Sequence, residues 1–179
     1  MDFAVTSYNS YMRGQRTMSK VVLSIFVNNR SGVLSRVAGL FSRRGYNIDS
    51  LTVGETEDPK YSRMTVAVTG DDIILDQIKK QVNKLEDVVS VKELAGEHSV
   101  YRELVLVKVR ATRDDLPTIN AIADIFRGKI DDVSDDSMII EMTGNQAKVD
   151  VLIQRMEGYG IEVLELVRTG ITGLARGNE

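Results

Sequence analysis

The chain has 179 residues, of which 42% are hydrophobic and 27% charged, a composition typical of soluble globular proteins. A formal net charge of −3 and a pI near 5.3 disfavour nucleic acid as the main partner, because binding to phosphates needs a basic surface. The absence of cysteine excludes disulfides, thiolate zinc sites and cysteine nucleophiles, and the single histidine, His98, excludes a metal site built from several histidines.

The N-terminal segment, residues 1–19, is polar and lacks the continuous apolar stretch of a secretory signal. We expect it to form a flexible extension ahead of the first strand. No segment reaches the roughly 18 consecutive apolar residues that a membrane-spanning helix requires. The sequence therefore predicts a protein of the cytoplasm that does not enter a membrane.

From residue 20 onward, the apolar pattern alternates between the periods of strands and helices. The first half predicts strands over residues 21–28, 46–53, 61–69 and 88–94. One predicted helix begins after an N-cap at Ser31 and ends before Gly45, and a second is capped by Asp71 or Asp72. The predicted order of elements is βαββαβ.

The second half repeats this order after a short polar linker, residues 95–99. Its predicted strands cover residues 103–109, 129–133, 138–142 and 161–167. One helix is predicted to open at Asp114 or Asp115 and to end at Gly128, and the other covers residues 146–157. The chain therefore predicts two copies of one plan.

The predicted fold class is α+β, with tandem ferredoxin-like βαββαβ units over residues 20–95 and 96–179. Each unit is expected to form a four-stranded antiparallel sheet with two helices on one face. A unit of this size buries only a modest fraction of its surface, and the second face of its sheet needs a cover. We therefore expect tandem packing or dimerisation.

The turn over residues 29–34 is the strongest candidate for a binding site. Gly32 lets the backbone approach a ligand closely, and the N–H groups of Gly32, Val33 and Leu34 are expected to be unpaired at the helix start. Such a helix start attracts a carboxylate or phosphate, and the side-chain amide of Asn29 adds a further polar group. On the residues alone, an ordinary capped strand-to-helix turn remains the more common explanation.

The other polar clusters are better explained as solvated surface than as sites. Four aspartates, Asp131, Asp132, Asp135 and Asp136, surround a predicted hairpin but lack the spacing of a calcium-binding loop. RNA-binding RRM domains share the βαββαβ order, but these strands lack their aromatic signature. No Ser/His/acid set or glycine-rich phosphate loop can be assembled, so the sequence predicts no catalytic or metal site.

Residues 28–53 closely resemble the opening of the ACT domain in the small, regulatory subunits of acetolactate synthase (acetohydroxyacid synthase). Further stretches fit the same family: residues 62–65, 77–91, 102–104, 125–128 and 168–177. The resemblance spans residues 18–177, almost the whole chain. It says nothing about residues 1–17.

This resemblance implies a non-catalytic subunit that carries no cofactor of its own. Its partner would be the catalytic (large) subunit, which uses thiamine diphosphate, Mg²⁺ and FAD to join pyruvate to pyruvate or 2-oxobutyrate. The small subunit would raise the activity of that partner. It would also confer feedback inhibition by valine, and in some cases by isoleucine or leucine, in branched-chain amino-acid biosynthesis.

The resemblance further implies a homodimer in which two ACT domains share each effector site. The effector-binding residues implied are Asn29, Gly32, Val33 and Leu34 from one chain and Asn47 and Ile48 from the other. Backbone N–H groups would bind the α-carboxylate, Asn29 and carbonyl groups would bind the α-amino group, and Val33 and Ile48 would hold the branched side chain.

Two other functions remain open at this point. A free-standing, amino-acid-sensing ACT protein would control another enzyme or a transcription factor, and an RRM-like RNA binder is disfavoured by the acidic charge. In the second half the equivalent turn, residues 111–116, is acidic and has no glycine. We expect that turn not to bind a carboxylate, and we assign the second unit to packing or partner contact.

Overall fold

The computed structural model describes residues 18–177, so most of the predicted N-terminal extension, residues 1–17, lies outside the described residues. The described chain forms two compact units that divide between Leu94 and Ala95. Within residues 18–177, no helix has the length and apolar character needed to cross a membrane.

The first unit follows the predicted βαββαβ order. Its elements are β1 (Ser19–Asn28), α1 (Val33–Arg43), β2 (Ser50–Glu55), β3 (Tyr61–Gly70), α2 (Asp72–Val82) and β4 (Val88–Leu94). The sheet is antiparallel with the order β2-β3-β1-β4, and β1 pairs along its whole length with β3. The predicted ferredoxin-like fold is therefore confirmed for this unit.

The core of the first unit lies between its sheet and its two helices. Alternate residues of the central strands point to this side, because strand side chains alternate between faces. The buried residues are Leu23, Ile25 and Val27 of β1, Met64, Val66 and Val68 of β3, Val33, Val37, Leu40 and Phe41 of α1, and Leu75, Ile78 and Val82 of α2. Burial of each large side chain contributes about 1.5–3 kcal/mol, which fixes α1 and its preceding turn on the sheet.

The second unit repeats this arrangement and adds one strand. Its elements are β5 (Ser99–Arg110), α3 (Leu116–Phe126), β6 (Lys129–Val133), β7 (Ser137–Gly144), α4 (Gln146–Gly158), β8 (Val163–Arg168) and β9 (Thr172–Ala175). The antiparallel sheet has the order β6-β7-β5-β8, and β9 pairs with the first residues of β5. The predicted tandem of ferredoxin-like units is confirmed.

Two predictions for the first unit are wrong in detail. Gly32, and not Ser31, is the N-cap of α1, with a φ of 83° and no side-chain capping hydrogen bond. The predicted strand over residues 46–53 begins only at Ser50. Ahead of the strand, the Asn47 amide donates to Asp49 Oδ1 over 3.0 Å, a local side-chain hydrogen bond that competes with strand pairing.

Two other predicted helix ends are confirmed. Gly45 follows α1 with a φ of 69°, and the Tyr46 N–H donates to the Phe41 carbonyl over 3.0 Å, which closes the last turn. Asp71 is the N-cap of α2, because its carboxylate accepts the N–H of Ile74 over 2.9 Å.

The boundaries of the second unit also differ from the predictions. The left-handed residue that ends α3 is Arg127, with a φ of 56°, and not Gly128. Gly128 serves packing instead, since a Cβ there would lie 3.2 Å from Ile140 Cγ2. β8 starts at Val163, two residues later than predicted. Of the two residues predicted to open α3, Asp114 and Asp115, the structure places Asp115 at the N-cap.

The unpredicted strand β9 explains why β5 is longer than predicted. Its residues pair with residues 99–102 of β5, in register from Ser99 opposite Ala175. Thr169, which lies just before β9, exchanges hydrogen bonds with Leu104 of β5. The Leu104 N–H donates to Thr169 Oγ1 over 3.1 Å, and the Thr169 N–H donates to the Leu104 carbonyl over 3.0 Å. Two stretches of the resemblance, residues 102–104 and 168–177, therefore meet in one structural feature.

Candidate functional site

The turn before α1 presents unpaired backbone donors at the start of a helix. The N–H groups of Gly32, Leu34 and Ser35 donate no hydrogen bond to any residue that the structure describes. The N–H of Val33 was expected to be free as well, but it donates to the Arg30 carbonyl over 3.3 Å. The first turn of α1 contains no acidic residue, so the helix dipole there is open to an anion.

Asn29 is placed at the edge of this turn by hydrogen bonds to the β2–β3 loop. Its side-chain Nδ2 donates to Glu55 Oε1 over 3.0 Å and to the Pro59 carbonyl over 2.9 Å. Its backbone N–H donates to the Lys60 carbonyl over 2.7 Å. Because both amide hydrogens are used, Asn29 offers a ligand its carbonyl oxygen, which suits an ammonium group better than a carboxylate.

Charged groups flank the turn on two sides. The carboxylate of Glu55 lies beside the Asn29 side chain. The guanidinium of Arg36 lies over Gly32, where an added Cβ would be 3.2 Å from Arg36 Nη1, and its Nε donates to Asp87 Oδ2 over 2.8 Å. The turn therefore combines donors for an anion with acceptors for a cation, as a zwitterionic ligand requires.

The predicted apolar contacts are only partly available to a ligand. Val33 is 3% exposed and belongs to the core of its own unit, so only its backbone faces the turn, which corrects the expectation that its side chain holds a ligand. Leu34 is exposed on α1. Ile48 is half-buried against the core, and Asn47 is exposed with its amide bonded to Asp49.

The six predicted effector-binding residues fall into two groups at opposite ends of the sheet. Asn29 is hydrogen-bonded to Lys60 at the start of β3, whereas the Asp49 N–H donates to the Ala67 carbonyl near its end. These positions on an extended strand are about 23 Å apart. The structure brings together Asn29, Gly32, Val33 and Leu34, and it separates them from Asn47 and Ile48 within one chain.

Glu55 and Arg36 were missed as site residues from the sequence. The sheet register brings Glu55 to the turn: Glu55 lies opposite Ser62 in the β2–β3 pair, and Asn28 lies opposite Tyr61 in the β1–β3 pair. The alternation of polar and apolar residues fixes the face of each side chain, but a shift by two residues keeps that face, so alternation alone does not identify the partner residue. An acidic residue two strands away from the turn therefore gave no signal in the sequence.

The equivalent turn of the second unit carries a carboxylate of its own, which bonds to Thr112 and not to the N–H groups of α3. Asp115 Oδ2 accepts the Thr112 hydroxyl over 2.7 Å and the Thr112 N–H over 2.9 Å. Both hydrogen bonds lower the pKa of the Asp115 carboxyl, and the bond from the Thr112 hydroxyl has the larger effect. Pro117 removes one further donor from the first turn of α3. A second anion is therefore disfavoured here.

The described residues do not contain a metal site of the usual protein ligands. Within residues 18–177, no three His, Asp or Glu side chains are placed to hold one metal ion. The aspartates around the β6–β7 hairpin have other partners: Asp131 accepts from Lys129 Nζ over 2.6 Å, and Asp132 accepts from the Ser134 hydroxyl over 3.0 Å.

Two family models match the chain, one in each unit. Residues 23–90 match the AHAS small subunit-like ACT domain, and residues 102–177 match the small subunit of acetolactate synthase. Among relatives, the probable acetolactate synthase small subunit of Archaeoglobus fulgidus is 49% identical over 160 residues, which cover 89% of this chain and 99% of the relative. The acetolactate synthase isozyme 3 small subunit of Escherichia coli is 42% identical over 158 residues, 88% of this chain and 96% of the relative.

A solved structure is similar over the same length. The crystal structure of the acetolactate synthase small subunit from Thermotoga maritima matches with a TM-score of 0.81 and 44% sequence identity. The match covers 90% of this chain and 99% of the other.

Proposed function

The chain belongs to the family of acetolactate synthase small subunits, and we propose that it regulates an acetolactate synthase catalytic subunit. In this proposal the small subunit raises the activity of its partner and confers feedback inhibition by valine or a related branched-chain amino acid. The reaction itself takes place in the cytoplasm on the partner, which holds thiamine diphosphate, Mg²⁺ and FAD. This chain contributes no catalytic residue.

One observation supports the effector role most strongly, namely the combination of unpaired donors and acceptors at the turn before α1. The free N–H groups of Gly32 and Leu34 suit an α-carboxylate, and the Asn29 carbonyl oxygen with Glu55 suits an α-ammonium group. An α-amino acid carries both charges on neighbouring atoms. A phosphate or a simple carboxylate would leave the acceptor side without a partner.

The separation of the two residue groups supports a site shared between two chains. An amino acid spans far less than the about 23 Å that separates Lys60 from Ala67 along the sheet, so Asn29 and Asn47 of one chain would serve different ligands. In a homodimer of ACT domains, the turn of one chain would meet Asn47 and Ile48 of the other. Ligand binding then favours one arrangement of the two chains, which is how the effector would act on the catalytic subunit.

The apolar part of the site supports only moderate selectivity among effectors. Leu34 and Ile48 are the predicted residues whose side chains remain available for an aliphatic group. Apolar pockets distinguish ligands that differ by one methylene by about 1–3 kcal/mol. We therefore expect valine, leucine and isoleucine to overlap as ligands.

Reconstitution tests this function. The purified chain is mixed with the catalytic subunit from the same organism, and acetolactate formation is measured with increasing valine. We expect a higher rate on mixing and a decrease in that rate as valine is added. Valine binding with no effect on the catalytic subunit would instead indicate a free-standing amino-acid sensor, and the absence of both effects would contradict any effector function.

A further inference from the structure

The guanidinium of Arg36 lies over the start of its own helix. Arg36 follows Gly32 by one turn of α1, and its N–H donates to the Gly32 carbonyl over 3.0 Å. Long side chains of a helix extend toward its N-terminus, so the side chain of Arg36 returns to the turn from which α1 begins. A Cβ added at Gly32 would lie 3.2 Å from Arg36 Nη1. The free backbone donors of this turn therefore have a positively charged group beside them.

The orientation of this guanidinium is set by one carboxylate. Arg36 Nε donates to Asp87 Oδ2 over 2.8 Å, and Nη2 forms an ion pair with the same oxygen. Within residues 18–177, the third nitrogen, Nη1, donates no hydrogen bond. Nη1 carries two N–H groups, which remain available on the side of the guanidinium that lies over Gly32.

The sheet holds Asp87 in place independently of Arg36. Asp87 lies directly before β4, and its backbone carbonyl accepts the Asn28 N–H over 2.9 Å. A register shift in the β1–β4 pair places Val88 opposite Val27, which brings Asp87 to the end of β1. The Asp87 side chain is 15% exposed, whereas that of Arg36 is 51% exposed. The fixed carboxylate therefore orients the more mobile arginine.

An ion pair with one exposed partner stabilises a fold only weakly, so stability alone does not account for this arrangement. Its position gives it a chemical use. Backbone N–H groups accept a neutral carbonyl oxygen as well as a carboxylate as their partner. A guanidinium binds an ionised carboxylate much more strongly than a neutral amide or ester, because both partners are then charged. Arg36 is thus the group at this turn that can distinguish a free carboxylate from its neutral derivatives.

We propose that Arg36 selects effectors with a free α-carboxylate, and that Asp87 is a positioning residue that directs the Arg36 guanidinium at the turn before α1. This inference rests on the proposed effector function of that turn. Arg36 and Glu55 then lie beside the two charged ends of the ligand, the carboxylate and the ammonium group. The class of ligand is the free α-amino acids, and their amides and esters are rejected.

Titrations with valine and valinamide test the role of Arg36. Valinamide keeps the ammonium group and the side chain of valine but has no negative charge, and NMR titration can follow its weak binding. Arg36→Gln should raise the Kd for valine about tenfold and change the Kd for valinamide less than about twofold. Arg43→Gln makes the same change of charge at the other end of α1 and should leave both values unchanged. An equal loss of affinity for both ligands, or no loss for valine, would overturn the inference.

The sign of the effect at Asp87 tests positioning against simple charge. Asp87→Ala removes a negative charge near the turn, so an effect of charge alone would strengthen valine binding. Positioning predicts the opposite, a Kd for valine that rises at least about threefold while the Kd for valinamide is retained. Because Asp87 acts through Arg36, Arg36→Gln with Asp87→Ala should bind valine as well as Arg36→Gln alone.

The outcomes at Asp87 separate this inference from the function on which it rests. Tighter or unchanged valine binding in Asp87→Ala, or additive losses in the double variant, would show that Asp87 does not position Arg36. The effector function of the turn would then stand without this device. If the wild type binds no valine, the proposed effector function itself fails.

Discussion

The turns that precede α1 and α3 occupy the same place in two units of the same plan, yet they present opposite charges. Gly32, at a φ of 83°, leaves backbone donors unpaired at the start of α1. Asp115 places a carboxylate at the start of α3, where Thr112 holds it. The βαββαβ fold thus supplies a helix start twice, and a few turn residues decide whether that start is open to an anion.

The helix layers of the two units differ in the complementary sense. The exposed side chains of α1 and α2 are mainly polar or charged, whereas an apolar groove lies between α3 and α4. The two units therefore share a fold but differ in the chemistry of both their turns and their helix surfaces.

The most disruptive test removes a large side chain from the core of one unit only. Phe41→Ala should lower the free energy of unfolding of the first unit by about 3–5 kcal/mol, because the ring is fully buried under α1. The core that contains Phe41 consists of residues of the first unit, so amide exchange in α3 and α4 should change little. Native-state hydrogen exchange measures both. Equal loss of protection in the two units would show that they unfold as one.

A smaller effect is expected at the acceptor side of the first turn. Glu55→Gln keeps the size of the side chain but removes its negative charge beside Asn29. Valine affinity should fall roughly tenfold, which corresponds to about 1.4 kcal/mol, while the catalytic subunit still binds. Calorimetric titration with valine checks this. Equal affinity in the variant would exclude Glu55 from the ammonium site.

The second helix of each unit begins with the same kind of side-chain cap. Asp71 and Asn145 are the N-caps of α2 and α4, and each accepts a backbone N–H over 2.9 Å. Replacing either one with alanine should lower the free energy of unfolding of its unit by about 1 kcal/mol. Thermal and denaturant unfolding measure the change. No loss in either variant would show that these bonds do not support the helices.

The smallest expected effect is the pH dependence of the second turn. Because the Thr112 hydroxyl and N–H lower the pKa of Asp115, its contribution to stability is complete above the unfolded-state pKa and is lost as the pH falls through the lower folded-state value. Protection of the Thr112 amide, which donates to this carboxylate, should decrease as the pH falls below the ordinary aspartate pKa of about 3.9. In Asp115→Asn this decrease should be absent, and the start of α1, which has no acidic residue, serves as the internal control.

Apolar periodicity predicted much of this fold, because burial decides which residues face the core. It did not predict β9, whose four residues include a glycine and show no clear alternation. It also did not predict the left-handed conformation of Arg127, because the glycine that follows, Gly128, is the residue type expected to adopt that conformation at a helix end. These elements depend on pairing and packing with distant residues, which local sequence does not encode.

The candidate site was predictable only in part for the same reason. Gly32 could be identified from the sequence because a glycine before a helix has a local cause. The partners of Asn29, the burial of Val33 and the distance between Asn29 and Asn47 all depend on the register of β1, β2 and β3. Alternation within a strand fixes the face of each side chain, but a shift by two residues keeps that face, so the residues that lie opposite each other could not be identified from one segment.

The central claim, that the turn before α1 binds the carboxylate of the effector, can be tested with two variants of one residue. Any side chain at Gly32 adds strain at a φ of 83° and approaches Arg36. Gly32→Asn therefore serves as the control for Gly32→Asp, because asparagine has nearly the same size, tolerates the left-handed conformation and carries no charge.

The decisive measurement is a calorimetric titration of both variants with valine, beside the wild type. We expect Gly32→Asp to bind valine at least tenfold more weakly than Gly32→Asn, because the new carboxylate competes with the ligand for the free N–H groups of the turn. Equal valine affinity in the two variants would show that the effector's carboxylate does not bind at this turn, since a carboxylate bound there has to respond to a charge at position 32.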